Sequence, residues 1–267
     1  MPVSFANYQR IIASRQGRIL TLTLTAPNPV NAVDGAMHHE LSRIFLDAQD
    51  DPDSDLVVLT GAGRAFCAGG DTAWFKTHIE DPASFRAIGP EAKRIVTSLL
   101  DMEKPILCRL NGAAAGLGAT IALMCDVIIA SDKAVVGDPH VKVGLVAGDG
   151  GAIIWPQLIG YARAKELLMT GEMLTAERAH ALGLVNHVVP HDQLDQEVDK
   201  WCQEIVAKSP TALAIAKRSF NASTEHIRGI SSLGLQALSL YYNTEESKEG
   251  VKAFLEKRKP DFRKHLK

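Results

Sequence analysis

Two stretches of this chain are built almost without side chains, and each follows a short apolar strand. Leu56 to Thr60 runs into Gly61-Ala62-Gly63-Arg64-Ala65-Phe66-Cys67-Ala68-Gly69-Gly70-Asp71-Thr72. Ile106 to Leu110 runs into Asn111-Gly112-Ala113-Ala114-Ala115-Gly116-Leu117-Gly118-Ala119-Thr120. Residues this small let backbone amides approach a ligand closely, and they constrain the fold more than anything else in the sequence. A dinucleotide fingerprint fails in the first stretch, because Phe66 stands where the third glycine should be. A P-loop fails as well, since no Gly-Lys-Ser/Thr follows. Taken alone, either stretch reads equally as a tight strand-to-helix connection. Taken as a pair, they point to two N–H donors converging on one oxygen, an oxyanion hole. At the second stretch a helix N-terminus adds partial positive charge.

The rest of the chain supplies an α/β frame. Tyr8 to Ala13 and Arg18 to Thr25 read as a hairpin around Arg15-Gln16-Gly17. Asp34 caps an amphipathic helix with Met37, Leu41, Ile44, Phe45 and Ala48 on one face. A polar helical stretch ends near Met102, and a helix runs from Gly118 to Met124. Val127 to Ala130, Ala134 to Val136 and Val185 to Val189 are short strands. Helices are expected over Ala162 to Met169, Thr175 to Leu182 and His191 to Ser209. Alternating strands and helices imply right-handed crossovers. From Pro210 to Phe254 the pattern is helical, so we divide the chain into an α/β core over 1–205 and a helical portion over 206–267. That portion is too small to own a good core and should pack on the core or on a second copy.

Bulk properties remove several function classes. A formal net charge of −2 leaves no excess cations for a nucleic acid. Cys67, Cys108, Cys125 and Cys202 form no CxxC pair and read as reduced thiols, as expected in the cytoplasm. The start, Met1 to Phe5, lacks the basic and apolar regions of a secretory signal, and no apolar run reaches membrane-helix length. His38-His39-Glu40 is not HExxH, because position 43 is Arg; a solvated helix face is expected there rather than a metal site. No metal is expected elsewhere.

With these features in place, the sequence resembles the crotonase (enoyl-CoA hydratase/isomerase) superfamily. Phe66 to Asp71, Lys104-Pro105 leading to Asn111-Gly112, and Met124-Cys125-Asp126 carry the resemblance. So do Leu168 to Gly171, Ala181 to Asn186 and the tail Glu249 to Pro260. The resemblance implies a spiral of ββα units with a C-terminal helical portion, assembled as a trimer or a dimer of trimers. It also implies an acyl-CoA thioester substrate, with coenzyme A as part of the substrate and no separate cofactor. The enolate donors map to the amides of Gly70 and Leu117. Val30, Ala68, Asp71 and Thr72 match coenzyme A contacts, and Phe254 and Lys257 match tail positions that often reach the coenzyme A of a neighbouring subunit.

The sequence departs from the hydratases of this family where they carry two glutamates: those positions are Thr120 and His140. Thr120 cannot serve as a carboxylate base and reads as packing under the hole. His140 is followed nine residues later by Asp149 across a Gly-rich turn, which could bring the carboxylate onto the imidazole and tune it as a base. The other reading of Asp149 is a cap for a helix starting at Gly150. Two functions stay open here. One is an acyl-CoA enzyme with a His/Asp pair in place of the glutamates. The other is a hydrolase that cleaves a carbon–carbon bond of a β-diketone or ring ketone with the same pair and without coenzyme A. A non-catalytic or RNA-binding relative is disfavoured, since the helix from Asp34 to Asp50 has one Arg and no Lys.

Overall fold

The structure is a computed structural model that describes residues 3–265, apart from the side chains of residues 82, 226, 227, 231 and 265. Met1 and Pro2 of the N-terminal segment and Leu266 and Lys267 of the helical portion lie outside the described residues. The hairpin is β1 (Ile11–Gln16) and β2 (Ile19–Leu24), with Gln16 opposite Ile19. Next come α1 (Gly35–Asp50), β3 (Leu56–Gly61), β4 (Ala65–Cys67), α2 (Thr72–Glu80) and α3 (Pro82–Asp101). They are followed by β5 (Ile106–Leu110), β6 (Ala113–Ala115), α4 (Leu117–Leu123), β7 (Val127–Ser131) and β8 (Val135–Gly137). Then come α5 (Gly151–Thr170), β9 (Met173–Thr175), α6 (Ala176–Leu182), β10 (His187–Val189) and α7 (Leu194–Val206). The tail holds α8 (Pro210–Asn221), α9 (Arg228–Tyr241) and α10 (Glu245–Leu255).

One sheet has the order β1-β2-β3-β5-β7-β10 and is parallel from β2 onward. Its central strands are largely buried on both faces, which explains their mainly apolar runs; in β5 the exception is Arg109, half-buried and ion-paired with Asp195 at 2.6 Å. Val57, Leu59, Cys108 and Ile128 join the main core under α1 and α3, while Leu56, Val58, Leu107 and Ile129 meet Leu194, Val198 and Cys202 of α7. Each such side chain contributes about 2 kcal/mol relative to exposure.

In the second sheet, β4-β6-β8-β9, β8 overlaps the expected strand Ala134 to Val136, whereas β4, β6 and β9 lie where the sequence suggested no strand. Three-residue strands carry no readable periodicity, and pairing with their neighbours defines them. Two asparagines hold them in place. Asn31 Nδ2 donates to the carbonyls of Ala62 and Ala65, and Asn111 Nδ2 to those of Gly63 and Ala65. Asn111 Oδ1 also accepts from Gly61 N–H at 3.1 Å. Gly118 closes the unit: a Cβ there would lie 2.0 Å from the Cys67 carbonyl oxygen. Only glycine lets α4 pack this tightly on β4.

Several boundaries differ from expectation. β1 covers Ile11–Gln16 rather than Tyr8 to Ala13, so Arg15 and Gln16 pair as strand instead of turning, and β10 begins at His187 rather than Val185. α5 begins at Gly151, well before Ala162, and non-helical backbone at Gly160 (φ 78°) interrupts the pattern read from sequence. α7 begins at Leu194, after a short 3₁₀ turn from His191. In the tail, α9 packs on α3 and α5, and α10 packs on α2 and the turn at residues 140–143. Phe85, Leu145, Leu238, Tyr242 and Val251 form a small apolar cluster there. The tail thus roofs the two glycine-rich connections of its own chain. Among the described residues, no helix is long and apolar enough to cross a membrane.

Candidate active site

Gly70 follows β4 and bridges to Val33, whose N–H donates to the Gly69 carbonyl at 2.7 Å. The Gly70 N–H itself meets no acceptor among the described residues. Leu117 opens α4, and its N–H is likewise unspent, as the first amides of a helix are. Both residues line a cavity of about 50 Å³ together with His140 and Asp149. Gly116, at φ 52°, sits against the imidazole, where a Cβ would come within 3.0 Å of His140 Cε1.

His140 begins a short 3₁₀ turn just after β8. Its Nδ1 is hydrogen-bonded to Asp138 Oδ1, and its Nε2 lies 3.5 Å from Asp149 Oδ2. The nine-residue spacing therefore does bring Asp149 to the imidazole. It is Asp138, however, that takes the orienting nitrogen, and Asp149 faces the other one. The signal for Asp138 was available in Asp138-Pro139-His140, where proline fixes the backbone between acid and ring. Asp149 is not a helix cap, because Gly150 holds that position and no side chain caps α5. Thr120 is fully buried, and its hydroxyl donates to Asp149 Oδ1 at 3.4 Å, so it supports the carboxylate as well as packing.

The electrostatics follow from this chain of groups. Burial alone would lower the pKa of His140, but Asp138 and then Asp149 outweigh it and raise it to about 9. Burial raises Asp149 to about 6, against the opposing pull of His140. Asp138 is held below its ordinary value: burial works against that, and the imidazolium overcomes it. At neutral pH the ring is a cation between two carboxylates. The three side chains offer ligand atoms within 4.8 Å of one another. Each ring nitrogen already faces a carboxylate, so a metal ion would have to displace one of them.

A second cavity of about 490 Å³ meets the first at Gly70 and His140 and runs outward under the tail. Val30, Ala68, Asp71, Thr72 and Phe254 lie on its wall. Asp71 also caps α2 through the amides of Ala73 and Trp74. Phe254 reaches this cavity from the same chain. Lys257 is exposed at φ 53° and is not on the wall; Arg258 is there instead, ion-paired with Glu249 and Glu256. A larger groove of about 670 Å³ between α3 and α9 holds no acid–base pair.

The remaining candidates separate cleanly. Cys67 is buried, and burial pushes its thiol up to about 12, so it is no nucleophile at neutral pH. His38 is buried, contrary to the expected solvated face; only His39 of that pair is exposed, and both meet Glu91, at 3.3 and 2.7 Å. The α1–α3 packing that draws Glu91 over His38 could not be read from α1 alone.

Comparison with known proteins agrees with this arrangement. Residues 14–265 match the family described as enoyl-CoA hydratase/isomerase. A crotonyl-CoA hydratase of Syntrophomonas wolfei subsp. wolfei is 34% identical over 258 residues, covering 96% of this chain and 98% of the relative. The crystal structure of an enoyl-CoA hydratase/isomerase from Mycobacterium paratuberculosis superposes with a TM-score of 0.86 at 34% identity, over 91% of this chain and 97% of that one. An enoyl-CoA hydratase/isomerase from Pseudoalteromonas atlantica T6c gives 0.84 at 28% identity, over 95% and 99% of the two chains. A spiral α/β core closed by tail helices, with these sequence matches over nearly its whole length, places the chain in the enoyl-CoA hydratase/isomerase family of the crotonase superfamily.

Proposed function

We propose that the chain binds an acyl-CoA thioester along the 490 Å³ cavity and holds its enolate oxygen between the amides of Gly70 and Leu117. In this reading His140 and Asp149 move the protons and Asp138 orients the ring. The observation that carries it is the convergence of two unspent amides and an imidazole–carboxylate pair on one small cavity. Each preorganised donor supplies roughly 3 kcal/mol toward an enolate.

The pKa order assigns the roles. Asp149, raised to about 6, is ionised at neutral pH yet basic enough to take a proton. His140, raised to about 9, is the available acid. For hydration of a 2-enoyl thioester, Asp149 removes a proton from water and the hydroxide oxygen bonds to C3. The C2=C3 pair moves into the enolate, and His140 delivers a proton to C2. The proton on Asp149 then returns to His140 across the 3.5 Å gap. This reverses the expectation that the imidazole is the base.

Val30, Ala68, Asp71, Thr72 and Phe254 would border the coenzyme A moiety, with Lys142 and Arg258 as nearby cations. No separate cofactor is invoked. Exposed Ile215 and Phe220 on α8 and Leu233 and Leu240 on α9 suit self-association to a trimer or a dimer of trimers. Four buried, unpaired thiols suit a reducing compartment such as the cytoplasm.

The His/Asp pair also suits hydrolysis of a β-diketone without coenzyme A, but a cavity reaching from His140 to Arg258 exceeds what a ring ketone needs. α-Proton exchange on a panel of acyl-CoA thioesters, beside calorimetric titration of coenzyme A, tests the choice. Exchange with measurable coenzyme A binding supports the acyl-CoA reading. Absence of both overturns it.

A further inference from the structure

Tyr242, at the turn between α9 and α10, lines the same small cavity as Gly70, Leu117, His140 and Asp149, and the chemistry assigned above does not use it. It is 1% exposed. Its ring lies 4.8 Å from that of Phe85 and 5.9 Å from that of His78, whose Nδ1 meets Ser84 Oγ at 2.7 Å. The main chain is fixed as well. Its N–H donates to the Leu238 carbonyl at 3.1 Å, and its carbonyl accepts from the Ser247 hydroxyl at 3.4 Å. Ring and backbone alike hold this phenol in the roof that the tail lays over the site.

Its hydroxyl is unspent. Neighbouring Tyr241 donates its own O–H to Glu246 at 3.1 Å, whereas the Tyr242 O–H has no acceptor among the described residues. The side-chain atoms that are both unpartnered and sealed off belong to His78, Asp138, Trp155 and Arg228. The Tyr242 oxygen is not one of them, so the little open surface this residue keeps includes that oxygen. Tyr242 is absent from the walls of the 490 and 670 Å³ cavities, and its surface opens to the small one. The charge it feels there is Asp149, which, after burial, raises the pKa of the phenol. No direct bond joins the two: the Asp149 oxygens face Thr120 and His140. The phenol therefore stays protonated, a donor with nothing in the protein to donate to. A buried donor left in that state is costly, and an oxygen that accepts from it regains the loss.

We infer that the Tyr242 hydroxyl donates to the oxygen that Asp149 deprotonates, and so holds the water that adds to C3 of a 2-enoyl thioester. The inference rests on the acyl-CoA reading of the site. One lone pair of that oxygen accepts from Tyr242, the other forms the bond to C3, and one of its O–H groups points at Asp149. Asp149 takes that proton. The phenol keeps its own throughout and remains hydrogen-bonded to the 3-hydroxyl of the product. In the reverse direction the same O–H donates to the departing oxygen as negative charge gathers on it. A site with Thr120 and His140 in place of two glutamates thereby still holds its water at two points, a carboxylate and a phenol.

The test compares hydration of crotonyl-CoA with α-proton exchange on butyryl-CoA, which has no oxygen at C3, in wild type, Tyr242→Phe and Tyr241→Phe. Tyr242→Phe should lower kcat/KM for hydration by roughly ten-fold or more, while exchange on butyryl-CoA stays within about two-fold. Its melting temperature should equal or exceed that of wild type, because the lost hydroxyl has no partner in the protein. Tyr241→Phe should leave the ratio of the two rates unchanged. Hydration that survives Tyr242→Phe, that falls in step with exchange, or that falls equally in Tyr241→Phe overturns the inference while leaving the acyl-CoA reading standing. A lowered melting temperature in Tyr242→Phe, or a wild type that exchanges α-protons but adds no water, does the same. A wild type that neither exchanges α-protons on any acyl-CoA thioester nor binds coenzyme A refutes the acyl-CoA reading, and this inference with it.

Discussion

Replacing Asp138 by Asn should convert His140 from a cation to a neutral ring at neutral pH. The substitution keeps the shape, and the amide oxygen can still accept from Nδ1–H, so the ring should stay in place. Only the charge leaves. Burial is the largest influence on this imidazole and acts downward; Asp138 is the stronger of the two carboxylates opposing it, and Asp149 the weaker. With Asp138 neutral, burial outweighs Asp149 alone. The pKa should then fall from about 9 to the ordinary imidazole value of about 6.5 or below. That is a change of about 2 units or more, worth about 3 kcal/mol at 1.36 kcal/mol per unit. Two measurements follow it. Long-range proton–nitrogen NMR gives the ring titration directly, and in the pH–rate profile of enoyl-CoA hydration, which needs the protonated ring, the alkaline fall should move from near pH 9 to about 6.5 or below. A ring in the Asn variant that still titrates near 9 would refute the assignment of Asp138 as the group that holds the charge.

Other outcomes are expected. His140→Ala should slow α-proton exchange by roughly 10²–10⁴-fold while coenzyme A binding, followed by calorimetry, changes little. Wild-type thermal stability should fall with alkaline pH. The raised pKa of His140 contributes stability that is complete below about 6.5 and lost as pH rises through about 9, so melting temperatures across that window should decline more steeply than in Asp138→Asn. Gly118→Ala should cost about 1–3 kcal/mol or more, because its Cβ would meet the Cys67 carbonyl at 2.0 Å. Gly229→Ala on α9, with nothing within 4 Å, should instead gain up to about 1 kcal/mol; equal melting shifts for the two variants would contradict the packing account.

Much of the frame was legible because it depends on local pattern. Strands buried on both faces announce themselves as apolar runs, and α1 as a capped amphipathic helix, so β3, β5 and α1 lie within a residue or so of expectation. β4 and β6 were not legible: three residues of Ala, Phe and Cys or of Ala alone have no period, and only cross-strand pairing and the two asparagines make them strands. At the site, the close approach of His140 and Asp149 could be anticipated from spacing, whereas Asp138-Pro139-His140 marked a second nearby acid without saying which ring nitrogen each carboxylate faces. That depends on how a 3₁₀ turn aims the imidazole back at Asp138. Arg258, rather than Lys257, lines the cavity for a similar reason, since a left-handed residue at 257 turns the chain and swings its neighbour inward. The partnership of His78 with Ser84 crosses the α2–α3 junction and leaves no mark in either helix alone.

The two unspent amides have a consequence for descent. A codon change replaces a side chain but leaves the peptide N–H in place, and the clips that position these amides, Asn31 and Asn111, bind main-chain carbonyls of the connections rather than any ligand. The oxygen-binding half of such a site is thus inherited almost independently of the residues around it. The half that a codon change can reach is a handful of side chains at 120, 138, 140 and 149. Substitution at those four positions would then alter the acid–base groups while the two main-chain N–H groups stay where they are.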